Sequence, residues 1–213
     1  MPVSEIFRLS YSRGDAVKFV SHLDFVKVFE RAIRRACVDV AFSNGFNPRM
    51  QLVFGNPLPV GFTSDAEFVD ITLATPAEGE EIASKIGGEL PAGITVNGFQ
   101  ALEKPYKSIL ASYSRSLYRV ALASPDEEFR LKLKDAYENS ASLVTLKKSK
   151  SSEKEVDIKP MIFQFEFDES GDLILKTASG PEGNLRPELA INTVAAAGGI
   201  DVRIVHVHKS AVE

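Results

Sequence analysis

His22 is the first side chain able to move a proton near neutral pH, and it stands in the stretch Phe19-Val20-Ser21-His22-Leu23-Asp24. Ser21 suits a helix N-cap, with Asp24 three residues on as a capping acid. A histidine in that first turn feels the positive helix terminus, which favours the neutral imidazole that a general acid or base requires. Equally, such a histidine can simply pack and hydrogen-bond at a helix start. No catalytic residue is fixed by the sequence; His22 is the candidate.

Farther along the same segment, Lys27, Arg31, Arg34 and Arg35 lie off the apolar stripe. Lys27/Arg31 and Arg31/Arg35 are four residues apart and share a face, which either binds phosphates or is a solvated helix surface. Glu30 is spaced to pair with Arg34. Next comes Ser43-Asn44-Gly45-Phe46-Asn47-Pro48-Arg49, in which turn formers surround one aromatic and one arginine. Phe46 can stack on a base or plug a core, and Arg49 can grip a phosphate or carboxylate in two-pronged fashion. The expected substrate-binding set is His22, Arg31, Arg35, Phe46, Asn47 and Arg49, of which His22, Arg31, Arg35, Asn47 and Arg49 are expected to border one concave surface.

Other residues carry weaker chemistry. Phe163, Phe165 and Phe167 alternate, and the spacing predicts one strand face, read first as core packing and second as a base-stacking platform. His206 and His208 share a strand face without the third and fourth ligands a metal needs, so no metal site is expected. Lys147, Lys148, Lys150 and Lys154 form a basic, serine-containing stretch, either an RNA-touching hairpin loop or a soluble one. Cys37 is the only cysteine. It cannot form an internal disulfide and cannot alone hold an iron–sulfur cluster, which takes three or four thiolates. No cofactor is expected in this chain, and a reducing, cytoplasmic compartment fits. No phosphate-binding loop, dinucleotide fingerprint or nucleophile elbow is present.

These residues must be positioned by a chain of 213 residues, 44% hydrophobic, with a net charge of −4. No apolar run approaches the roughly 20 residues of a membrane span, and the first residues have no secretory pattern. Charge is uneven: residues 1–60 hold eight basic and five acidic side chains, whereas 61–103 hold one and eight. An acidic chain can still carry a local basic face for nucleic acid.

The periodicity predicts strands at Ile6–Tyr11 (with Ala16–Val20 as its continuation or a hairpin arm), Val38–Phe42, Met50–Phe54, Glu67–Leu73 and Ile94–Ala101. Helices are predicted over Ser21–Ala36, with Leu23, Val26, Phe29, Ile33 and Ala36 facing the core, and over Pro76–Leu90. In the second half, strands are predicted at Tyr113–Leu122, Leu143–Lys147, Pro160–Phe167, Leu173–Thr177 and Val202–Val207, with helices from Ser124-Pro125 to about Tyr137 and from Arg186-Pro187 to about Ala197. The fold class is therefore α+β, as two tandem ferredoxin-like βαββαβ units. Their expected bounds are 1–103 and 112–213, with 104–111 as linker.

The stretches Phe19–Asp24 and Ser43–Arg49, together with Asn56-Pro57-Leu58-Pro59-Val60-Gly61 and Glu155-Val156-Asp157-Ile158-Lys159-Pro160, resemble the radical SAM-linked protein family. Its members stand alone or are fused behind a cobalamin-binding radical SAM module. The resemblance implies a partner radical SAM enzyme, which would hold the iron–sulfur cluster and S-adenosylmethionine. It carries over no catalytic residue. The leading expectation is a non-catalytic accessory protein that binds substrate, foremost RNA, for that partner, with no membrane involved. The alternatives are an RNA-processing enzyme with His22 as general acid/base, and a protein-interaction scaffold without nucleic acid.

Overall fold

A computed structural model describes residues 3–123, 125–148, 153–181 and 183–213. By contact the chain divides into two units, Met1–Ser112 and Tyr113–Glu213. Both are mixed α+β, and the described strand pairings within each are antiparallel.

The first unit runs β1 (Val3–Arg13), α1 (His22–Arg35), β2 (Leu52–Phe54), β3 (Thr63–Glu78), α2 (Gly79–Glu89), β4 (Ile94–Ala101) and the single-turn α3 (Ile109–Ser112). Its strands lie in the order β2-β3-β1-β4. Alternation on β1 sends Phe7, Leu9 and Tyr11 into a core completed by Val69 and Ile71 of β3, Phe25, Phe29 and Ile33 of α1, and Ile82 and Ile86 of α2. Ser21 caps α1, its hydroxyl accepting from the Asp24 N–H at 3.3 Å. The helix ends in a Schellman motif: Val38 N–H donates to the Ile33 carbonyl and Cys37 N–H to that of Arg34, with Cys37 at φ 53° where glycine is usual.

Several expected elements differ. Ala16–Val20 does not continue β1. The chain instead turns at Gly14, whose N–H donates to the Gly93 carbonyl, into a short 3₁₀ helix at Asp15–Val17. Pro76 does not open a helix. It lies within β3, where the register against β1 jumps from Ile6↔Thr72 to Ser4↔Ala77, an irregularity that tolerates a residue lacking an N–H. Val38–Phe42 makes only isolated bridges, Val40↔Leu73 and Phe42↔Met50. On α1 the buried residues are Phe25, Phe29, Ala32 and Ile33, so Leu23, expected in the core stripe, lies outside it and is 73% exposed.

The second unit runs β5 (Arg115–Leu122), α4 (Glu127–Asn139), β6 (Val144–Lys148), β7 (Glu153–Asp157), β8 (Ile162–Phe167), β9 (Leu173–Gly180), β10 (Gly183–Asn184), α5 (Pro187–Ala197) and β11 (Ile204–Val212). Its sheet order is β8-β9-β5-β11, with β10 on the end of β9. With the β6–β7 hairpin, the two-residue β10 and the single-turn α3 set aside, both units share one order of elements and one order of strands. Ser124, expected to cap α4, lies outside the described residues; Asp126 is the cap, its carboxylate accepting from Phe129 N–H at 2.8 Å. The alternation expected of Phe163, Phe165 and Phe167 breaks at a register shift between Ile162 and Gln164. Phe165 is buried and stacks on Tyr137 at 4.8 Å, whereas Phe163 is exposed, with the Arg115 guanidinium 4.1 Å from its ring centre.

Candidate functional site

The first unit presents apolar side chains to solvent around the residues that the sequence singles out. Phe19, Leu23, Phe42, Phe46, Val53 and Val60 are all exposed there. Leu23 and Val26 stand on an outward stripe of α1 distinct from its core stripe. They face Phe42, Pro48, Arg49 and Met50 across a groove of about 430 Å³. Lys27, Glu30 and Arg34 continue the helix wall, so three cations and one carboxylate edge an apolar floor. Lys27 holds Asp24 at 3.1 Å, an exposed pair that a ligand can displace at little cost.

The loop from Ser43 to Arg49 forms the other wall. Ser43 N–H donates to the Arg49 carbonyl at 2.8 Å, and Arg49 N–H donates to Ser43 Oγ at 3.1 Å. Gln51 steadies the base through its side-chain amide, which donates to the Phe42 carbonyl at 3.1 Å. Phe46 projects from the tip, fully exposed. Gly45 precedes it at φ 134°, a backbone angle suited to glycine.

His22 lies elsewhere. It lines a nook of about 10 Å³, room for about one water, with Arg13, Phe54, Asn56, Pro57 and Glu67 among its walls. An aromatic chain positions the imidazole: Tyr11 packs on Phe29 at 5.0 Å, Phe29 on Phe54 at 5.5 Å, and Phe54 edge-on to His22 at 5.9 Å. Below it Arg13 is buried and donates to the carbonyls of Val17, Lys18 and Val20, which fastens the loop entering α1. Burial lowers the Arg13 pKa, and the Glu67 charge works against that fall. Burial raises the Tyr11 hydroxyl well above its ordinary value, with Glu67 adding to the rise. The Asp24 carboxyl is held below its ordinary value, first by the Ser21 hydroxyl and then by Lys27.

The expected single surface is therefore two. Arg49 belongs to the groove and His22 to the nook, with Asn47 on the groove's exposed loop. Nine residues separate His22 from Arg31, which puts them about 180° apart on an ideal helix. Arg35 turns to α2, its Nε donating to Glu89 Oε2 at 2.8 Å and its Nη2 to the Glu89 carbonyl. Leu23 and Val26, which spacing assigns to the core stripe, line the groove. Their spacing was the signal, since α1 carries two apolar stripes and only one can face the core. Among the described residues no cluster of three or more His, Cys, Asp and Glu could hold a metal, and no helix is long and apolar enough to cross a membrane. Lys147 and Lys148 lie in the β6–β7 hairpin opposite Lys154 and Glu153; Lys150 lies outside the described residues.

The profile of a family described as Uncharacterized protein conserved in bacteria (DUF2344) matches residues 7–187. No curated protein matches. Among solved structures, a chain of the crystal structure of a Cbf5-Nop10-Gar1 complex is similar at a TM-score of 0.51 and 8% identity, over 98% of this chain and 49% of that one. The present chain thus spans about half the length of that chain, and the likeness is one of fold. A candidate glycine cleavage system transcriptional repressor aligns at a TM-score of 0.25 and 9% identity, over 94% of this chain and 95% of that one.

Proposed function

The chain belongs to this bacterial family, and from that premise we propose that it is a non-catalytic accessory protein that binds RNA through the groove of its first unit and serves a partner enzyme. The observation that carries the proposal is the outward apolar stripe of α1, Leu23 and Val26, set against Phe42 and edged by Lys27, Arg34 and Arg49. Aromatic and apolar surface for bases beside cations for phosphates is the combination that binds nucleic acid strands. The strand orders β2-β3-β1-β4 and β8-β9-β5-β11 support reading each unit as ferredoxin-like, a frame on which such sites are built. A radical SAM enzyme as the partner rests on the motif resemblance alone, and the cluster and S-adenosylmethionine would belong to that partner.

Crosslinking followed by pull-down of the full chain from cells tests the proposal. RNA and an enzyme should be recovered together, and Arg49→Ala should lose the RNA while keeping the enzyme. Recovery of protein without RNA would favour the scaffold. His22 borders a polar nook with Arg13 and Asn56, which leaves one route to an RNA-processing enzyme. An RNA cleavage activity abolished by His22→Ala, with binding intact, would replace the accessory role with that one.

A further inference from the structure

Resting on that RNA-binding reading, we infer that the groove takes an unpaired single strand, one base entering between α1 and the loop and a neighbouring base lying on Phe46. In a duplex both faces of every interior base are covered by stacking, so an aromatic ring meets only edges and phosphates. A protein that displays ring faces is equipped for bases already unstacked. Phe46 is fully exposed. Among the described residues, none beyond the two chain neighbours of Gly45 comes within 4 Å of the place its Cβ would occupy, so the loop tip stands clear of them. The hydrogen bonds between Ser43 and Arg49 close the loop beneath it, so the ring is displayed on a tied support.

The groove at the base of this loop has the volume of a small-ligand site: about 430 Å³, against roughly 300–1,000 Å³ for such sites. Phe42, on its floor, is four residues from Phe46, at most about 14 Å of extended chain and a distance that a few successive nucleotides cover. The cations follow the same line. Lys27 and Arg34 are seven residues apart on α1, about 10 Å along its axis, and Arg49 stands on the facing wall. A flexible strand can thread phosphates past all three while its bases turn inward to Leu23, Val26 and Phe42.

The test is fluorescence anisotropy with the full chain and labelled oligo(A) RNA, presented alone or annealed to oligo(U), at two salt concentrations. The single strand should bind at least tenfold more tightly than the duplex. Phe46→Ala should weaken single-strand binding roughly tenfold or more, and Phe46→Trp should retain it. Phe163→Ala, an exposed aromatic of the second unit, should leave it unchanged. Equal affinity for strand and duplex, with Phe46→Ala behaving as wild type and folded by circular dichroism, would overturn the inference and leave RNA binding standing. Failure of both RNAs to bind would overturn the inference and the RNA-binding reading together.

Discussion

Tyr11 has its ring stacked at 5.7 Å on Phe25, and burial is the main cause of its raised pKa. A tyrosine whose folded pKa is raised contributes stability that is whole below the unfolded value, near 10, and is lost as pH rises through the folded value. The urea midpoint should therefore fall between pH 9 and pH 11, and Tyr11→Phe should flatten that fall; an equally steep fall in the variant would contradict the assignment. Ser21→Ala should cost about 0.5–2 kcal/mol by removing the N-cap, read from the same denaturation curves. That cap was legible in the sequence because capping is local: Ser21 and Asp24 are three residues apart and need nothing distant. Leu23 departs from the core stripe because spacing alone cannot say which of two apolar stripes faces inward. That is decided by Tyr11, Val69 and Ile71, residues brought in by the sheet.

At the scale of elements, the Schellman motif closing α1 holds Cys37 in the left-handed region at φ 53°, a conformation costing an L-residue roughly 1–2 kcal/mol. Cys37→Gly should raise stability by about 1 kcal/mol, and a loss on thermal or urea unfolding would contradict the account. Another element rests on Arg8, which meets Asp70 through two hydrogen bonds of 2.7 and 2.9 Å, with both side chains buried. The same guanidinium donates to Ser112 Oγ at 2.9 Å and to the Lys107 carbonyl at 3.0 Å, fixing α3 and the segment before it to the sheet. Asp70→Ala strands a buried charge and should cost about 3–5 kcal/mol. By contrast, Arg35→Ala removes an exposed pair with Glu89 and should cost at most about 1 kcal/mol. Ile94–Ala101 was legible as a strand from its own pattern, whereas Pro76 within β3 and the register shift at Phe163 were not. Both are irregularities that become visible only when the partner strand is in place.

At the scale of the molecule, charge tells little until it is located: the chain is acidic overall, yet the groove lining holds Lys27, Arg34 and Arg49 against Glu30 alone. Spacing alone joins the Ser43–Arg49 loop to Arg31 and Arg35, whereas the groove lining holds Lys27 and Arg34 beside Arg49. Which cations of α1 meet the loop depends on where β2 and β3 return the chain beside the helix. The set expected from spacing also includes His22, which lines the nook with Arg13 and Phe54 and not the groove. The central claim is that this groove holds the RNA. Ultraviolet crosslinking of the full chain to 4-thiouridine-containing single-stranded RNA, with crosslinked peptides mapped by mass spectrometry, tests it most directly. Crosslinks should concentrate on the peptides that carry Phe42 and Phe46. Crosslinks confined to the second unit, around Phe163 or the β6–β7 hairpin, would contradict it.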